Sequence, residues 1–211
     1  MKDYEFYLVT ESSLAMGRSN KDIIAEAING GAGIIQLREK EWSKERYLEE
    51  AKILSRICHA HGVLFVVNDY PDVAVQVEAD ALHLGQEDIP IAQARKIVGR
   101  RKIGKSTHSR EQALAAVREG ADYISVGPIF PTRKKPNPVG IGLLAEVAPL
   151  IRIPLVAIGG IAVSNLPLVL DAGARTVAAI SAIVEAEDVR EETRKFVSLI
   201  KEREYRGRTN G

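Results

Sequence analysis

GADYISVG (residues 120–127) decides the fold, because its pattern returns as GGAGIIQL (30–37) and GARTVAAI (173–180). Each stretch runs from Gly-Ala into a short run rich in β-branched residues. A glycine there supplies the left-handed cap of a preceding helix, and the alanine lets the chain turn tightly back into a sheet. Repetition of the device means that one strand–helix unit is used many times. Outward from these three, strands are predicted at 6–10, 34–37, 64–68, 81–84, 102–105, 123–126, 155–158 and 177–180. Most are continuously apolar rather than alternating, which suits parallel strands covered on both faces.

Helical periodicity fills the intervals. Residues 43–60 carry Tyr47, Leu48, Ala51, Leu54 and Cys58 on one face. Residues 109–119 open with Ser109 and have Gln112 three positions on, a capping-box pattern. The weakest crossover is a short helix at 91–98, with Pro90 at its first turn. Eight such units in one chain close most simply into a single (β/α)8 barrel over residues 1–211, with a tail that frays from about 201. An open doubly wound sheet is the competitor. It ordinarily carries a glycine-rich loop after the first strand, where this chain has Glu11-Ser12-Ser13.

Composition narrows the function classes. The 211 residues are 45% hydrophobic but only 5% aromatic, so the core is built from Ile, Val, Leu and Ala. Twenty-nine basic and 28 acidic side chains leave a net charge of +1, which excludes a general polyanion binder and hence nucleic acid. Arg100-Arg101-Lys102 precedes a strand and reads as a solvated turn. With one cysteine, Cys58, there is no intramolecular disulfide and no multi-cysteine zinc site. The start, MKDYEFYLVTE, lacks the apolar core of a signal peptide, and no apolar run is long enough for a membrane span. A cytoplasmic location is expected. The oligomeric state stays open, a homo-oligomer included.

In a barrel, chemistry sits just past the C-terminal ends of the strands. There the chain places Gln36, Arg38 and Lys40, then Asn68 and Asp69, then Asp88, then Ser106. The loop 127–140 adds Thr132, Lys134 and Lys135, and the last two strands end at Gly159-Gly160 and Ile180-Ser181. Arg38, Lys40 and Lys135 are cations from two loops. Asp69 and Asp88 are hard oxygen ligands on neighbouring strands, suited to Mg²⁺ together with a substrate phosphate. That set describes a diphosphate site. The glycine-rich ends of strands seven and eight instead offer backbone N–H groups, the usual monophosphate position of this fold. Two phosphorylated small molecules would occupy both halves.

Plainer readings compete with these. Arg38 and Lys40 could pair with Glu39 or Glu41 on a solvated face, Asp69 and Asp88 could cap helices, and Gly159-Gly160 could be turn punctuation. His83 lies inside a strand and reads as packed. His108 lines the rim, Cys58 reads as core, and Trp42 stands beside the Lys40 loop.

QLREK (36–40), VVNDYPDVA (66–74), ALHLGQED (81–88), GKSTHS (104–109), DYISVGPIFPT (122–132), VAIGGI (156–161) and AAISAI (178–183), in this order, resemble the thiamine-phosphate synthase family. The resemblance runs from about residue 7 to 187. It implies a (β/α)8 barrel joining hydroxymethylpyrimidine diphosphate to a thiazole phosphate, with Mg²⁺, by a dissociative route that releases pyrophosphate and thiamine phosphate. By motif, Arg38, Lys40, Asn68 and Lys135 would hold the diphosphate, and Gln36 and Ser106 the pyrimidine. Asp69 and Asp88 would bind Mg²⁺, and Thr132, Gly160, Ile180 and Ser181 the thiazole phosphate. Arg38, Lys40 and Lys135 would be the catalytic cations.

One departure stands out. The family loop reads T-x-T-K, whereas this chain has Thr132-Arg133-Lys134-Lys135, with Lys134 at the second threonine. Either lysine could serve the diphosphate, and Lys134 could instead reach the thiazole phosphate. The rival readings are a thiazole tautomerase-type isomerase, which generally lacks the basic and acidic diphosphate set, and a barrel that binds phosphates without turnover.

Overall fold

A computed structural model describes residues 5–209; the first four and last two residues, including the charged start of the chain, lie outside it. Eight parallel strands close into a barrel in sequence order. They are β1 (Phe6–Val9), β2 (Ile34–Leu37), β3 (Leu64–Asn68), β4 (Ala81–Leu84), β5 (Lys102–Thr107), β6 (Tyr123–Val126), β7 (Leu155–Ile158) and β8 (Thr176–Ala179). The ring closes where Tyr7 pairs with Ala178. The helices are α1 (Asn20–Asn29), α2 (Lys44–Ala60), α3 (Pro71–Gln76), α4 (Ile91–Val98), α5 (Arg110–Arg118), α6 (Gly140–Val147), α7 (Leu166–Asp171), α8 (Ser181–Val184) and α9 (Val189–Thr209). Helix therefore continues through Thr209, past the point where the tail was expected to fray. Among the described residues no helix is long and apolar enough to cross a membrane.

Local signals explain the element boundaries. Ser43 accepts a hydrogen bond from the Arg46 N–H and opens α2, and Ser109 does the same for Gln112 at α5. Gln112 completes the second cap by accepting from the His108 N–H at 2.7 Å. Helix α2 buries Tyr47, Ala51, Leu54 and Cys58, as its stripe requires, and also Ser55, which donates to the Val77 carbonyl at 2.7 Å. Strand β5 runs two residues beyond the expected 105, so Ser106 and Thr107 belong to the sheet and not to the loop after it.

Two apolar layers result. The larger lies between sheet and helices and includes Leu8, Ile35, Leu37, Phe65, Val67 and Ile124. At its seam Phe6 of β1 meets Phe196 of α9, ring centroids 4.9 Å apart. The smaller fills the barrel itself with Tyr7, Val9, Ile34, Val66, Ala81, Tyr123, Val156 and Ala178. Two residues further along four of these strands the interior turns polar, with Gln36, Asn68, His83 and Ser125 all buried. The floor is thus apolar below and hydrogen-bonding above, and it carries the mouth. Gly104 belongs to this design: a Cβ there would fall 2.0 Å from Tyr123 Cζ, so the ring crosses the interior only because position 104 has no side chain.

Candidate active site

The mouth opens into a cavity of about 470 Å³ above this floor. Of the residues singled out in the sequence, Gln36, Arg38, Asn68, Ser106, Thr132, Lys134, Lys135, Gly160, Ile180 and Ser181 all line it. Lys40, Asp69 and Asp88 stand just outside that lining and form a cluster of their own. The Lys40 ammonium is ion-paired with Asp69. The Asp88 carboxyl lies within hydrogen-bonding reach of Asp69.

The charged wall comes from β1 to β4. Arg38 pairs with Glu11 at 3.0 Å, and Lys134, from the loop after β6, pairs with the same carboxylate at 2.8 Å. Burial opposes ionisation of Glu11, but hydrogen bonds from Lys134 and Ser13 and the charges of Lys134 and Arg38 outweigh it and hold the carboxyl below its usual range. Alternation along the β2 end turns Glu39 the other way. It accepts from the Ser12 N–H and hydroxyl and from Asn20, so it is not the partner of Arg38 or Lys40.

Capping does not account for the two aspartates. Helix α3 has Tyr70 at its N-cap and α4 has Pro90, neither with a side-chain cap. Asp88 instead closes a turn by accepting from the Gly85 N–H at 2.6 Å. Asp69 sits at φ +67°, a conformation uncommon for any residue but glycine. Desolvation first, then the hydrogen bond and charge of Asp88, raise the Asp69 carboxyl above its ordinary range, while Lys40 pulls the other way. Two carboxylates held this close relieve their repulsion by taking a proton or a cation. Paired hard carboxylate oxygens of this kind fit Mg²⁺.

The opposite wall is backbone. Gly159 and Gly160 follow β7 at φ +101° and +65°. A Cβ on Gly160 would lie 2.7 Å from Phe130 Cβ and 2.8 Å from the Pro131 carbonyl oxygen. The strand-six loop therefore packs directly on the glycines, which no other residue permits. The Ile180 carbonyl takes the N–H groups of Ile183 and Val184, while the N–H groups of Gly160 and Ser181 have no protein acceptor among the described residues. Between the walls, Lys135 N–H donates to Thr132 Oγ1 at 3.0 Å, closing a tight turn that carries Lys134 and Lys135. Arg133 ties that turn to Glu185 at 2.7 Å.

Several residues of the site went unread in the sequence. Glu11 ends β1 at the same rim and was legible by the rule that found the others. Tyr7 and Tyr123 were not singled out in the sequence. They are buried, yet their hydroxyls join Gln36, His83 and Ser106 in a continuous hydrogen-bonded line. Lys105 is a buried cation that donates to the Gly85 carbonyl at 2.6 Å. His83 is packed, as expected, and burial lowers it to about 4, so it is a neutral imidazole. Burial pushes the Cys58 thiol up to about 12, leaving no nucleophile there. Trp42 stacks under the Arg46 guanidinium at 3.9 Å.

Comparison with known proteins agrees with this architecture. Residues 6–183 match the family described as thiamine monophosphate synthase. The thiamine-phosphate synthase of Chloroflexus aurantiacus is 44% identical over 201 residues, 94% of this chain and 93% of that one. That of Halalkalibacterium halodurans is 45% identical over 207 residues, covering 96% and 98%. A solved thiamine phosphate pyrophosphorylase from Pyrococcus furiosus superposes with a TM-score of 0.89 at 37% identity, over 95% of this chain and 96% of its own. With the motifs in order, the barrel closed and the relatives matched end to end, the chain belongs to the thiamine monophosphate synthase family.

Proposed function

We propose that this chain condenses 4-amino-5-hydroxymethyl-2-methylpyrimidine diphosphate with 4-methyl-5-(2-phosphoethyl)thiazole, giving thiamine phosphate and pyrophosphate. The observation that carries the reading is a charged wall, Arg38–Glu11–Lys134, facing a glycine-backbone wall across one cavity, with the Lys40–Asp69–Asp88 cluster beside it. The bond between the pyrimidine methylene and the diphosphate oxygen breaks first, and its electron pair leaves with the diphosphate. The thiazole nitrogen lone pair then forms the new C–N bond to the methylene cation.

Such a reaction asks the protein to stabilise a departing polyanion, with no acid, base or nucleophile at the reacting carbon. Arg38, Lys40, Asn68 and Lys135 hold the diphosphate. Arg38 and Lys40 are each on loan to a carboxylate in the free protein, and a diphosphate is the stronger partner for both. Asp69 and Asp88 hold Mg²⁺, which when bound neutralises charge on the leaving group. Gln36 and Ser106 set the pyrimidine on the floor. Thr132, Gly160, Ile180 and Ser181 receive the thiazole phosphate, with Lys134 at the junction of the two subsites. Under this reading the partners are two phosphorylated small molecules in the cytoplasm, with neither nucleic acid nor membrane, and a homo-oligomer is compatible with it.

The test is pyrophosphate release from the purified protein. Release that requires the pyrimidine diphosphate, the thiazole phosphate and Mg²⁺ together supports the synthase reading. Conversion of the thiazole alone without metal would replace it with a tautomerase, and saturable binding with no product would make the barrel a phosphate-ligand binder.

A further inference from the structure

The line of hydrogen bonds beneath the mouth has a property that its members lack singly. Gln36 Nε2 lies 2.6 Å from Tyr7 Oη, Tyr7 Oη 3.4 Å from Tyr123 Oη, Tyr123 Oη 3.0 Å from His83 Nδ1, and His83 Nε2 2.9 Å from Ser106 Oγ. Five residues from five strands are joined; all but Tyr123 reach the cavity lining, and Gln36 and Ser106 are the two ends. The Gln36 Oε1 takes no protein hydrogen bond among the described residues and is not a buried orphan, so it faces open space.

Each interior member has a single proton to give. A phenol donates once, and a neutral imidazole carries one N–H and one lone pair. Burial favours these uncharged forms, holding both tyrosines above their ordinary range and His83 well below its own. Buried donors left unmade are costly, so the line is satisfied in only two senses. In one, Gln36 N–H donates to Tyr7, Tyr7 to Tyr123, Tyr123 to His83 Nδ1, and His83 Nε2–H to Ser106. The Ser106 proton and the Gln36 carbonyl then face the ligand. In the other, every bond reverses, the amide turns over, and the Ser106 lone pair and the Gln36 amino group face the ligand. Either way the ends present one donor and one acceptor, never two alike.

We propose that Tyr7, Tyr123 and His83 are positioning residues that couple Gln36 to Ser106, so that the floor takes a heteroaromatic edge bearing one acceptor and one donor. An aminopyrimidine has that edge, so the specificity part of the inference rests on the function proposed above. An analogue that keeps the ring nitrogens but carries an alkoxy oxygen in place of the amino group offers two acceptors and is refused. The joint between the two tyrosines, at 3.4 Å, is the weakest in the line and is where the coupling is most easily cut.

Two measurements test it. The first compares kcat/KM for the aminopyrimidine diphosphate and its alkoxy analogue. Tyr123→Phe, at the one member of the line outside the cavity lining, is expected to shrink the preference for the amino compound by about 10- to 100-fold and leave the KM for thiazole phosphate unchanged, and Tyr7→Phe to do the same. A preference that survives both variants overturns the coupling, however far the rates fall. The second needs no substrate and stands even if the function is otherwise. Gln36→Glu places an acceptor-only carboxylate beside Tyr7 and forces the second sense, so the His83 proton moves from Nε2 to Nδ1. The ¹⁵N shifts of the His83 ring, assigned by their loss in His83→Gln, read that exchange in the free folded protein. An unchanged tautomer in Gln36→Glu overturns the proposal.

Discussion

The two walls of the mouth solve the problem of holding phosphate by opposite means. From β1 to β4, with Lys134 reaching across from the loop after β6, the site is built of side chains that are already partnered, Arg38 and Lys134 on Glu11 and Lys40 on Asp69. From β6 to β8 it is built of backbone whose shape is fixed by close contact, Gly160 against Phe130 and Pro131. The charged wall can exchange partners when a ligand arrives and recover them when it leaves. The glycine wall has nothing to exchange, and its N–H groups point where packing leaves them. In the reaction proposed above, a product that departs as a free polyanion would be served by the first, and a small spectator phosphate by the second.

Four perturbations break or sharpen this contrast, and the largest falls on the charged wall. Asp69→Ala is expected to lower turnover by about 10²- to 10³-fold while thiazole-phosphate affinity, read by calorimetry, stays nearly intact. Full activity in that variant would remove the carboxylates from the metal. The floor between the walls comes next. His83 holds its proton less tightly when folded, at about 4, than in the unfolded chain, at about 6.5. The unfolded state therefore binds more protons between those values, and stability present at pH 7 is lost as pH falls from about 6.5 towards 4, by about 3 kcal/mol in full. Urea melts across that range check it, and His83→Asn should flatten the dependence.

On the glycine wall, Gly160→Ala meets both a positive φ and three contacts under 3.0 Å. We expect a loss of about 1–3 kcal/mol in stability, with thiazole-phosphate affinity falling more than diphosphate affinity. Equal losses would erase the distinction between the walls. Lys134→Thr is the smallest. Its side chain is mostly exposed and Arg38 remains on the shared carboxylate, so stability should change by less than about 1 kcal/mol. Activity should change little if Lys135 serves the diphosphate, and a large drop in pyrimidine-diphosphate affinity would transfer that role to Lys134.

Much of this was legible in the chain because the barrel repeats one instruction. The Gly-Ala turns and continuous apolar runs locate all eight strands to within two residues, and the rule that chemistry follows strand ends finds many of the polar lining residues. What escaped did so for physical reasons. Tyr7 and Tyr123 have the pattern of core aromatics, and only Gly104 opposite Tyr123 hints that a ring crosses the interior with its hydroxyl aimed upward. The ion pairs of Glu11 join residues up to 123 positions apart, and no local periodicity encodes them. Nor does the sequence show that Lys40, Asp69 and Asp88 gather beside the cavity instead of inside its lining. That depends on the left-handed turn at Asp69, a residue type that tolerates such turns without requiring them.

Closure of the ring also has a consequence for synthesis. Strand β1 is made before the other seven strands, yet its second neighbour is β8 and its outer face is covered by Phe196 of α9. Position 30, in the turn leading to β2, waits as well: a side chain there would strike the Arg190 carbonyl and Thr193. At translation rates of about 5–20 residues per second, the nascent chain spends roughly ten seconds or more with that edge unpaired. The fold cannot be assembled in the order in which it is written, and the last helix is the latch that makes the first strand permanent.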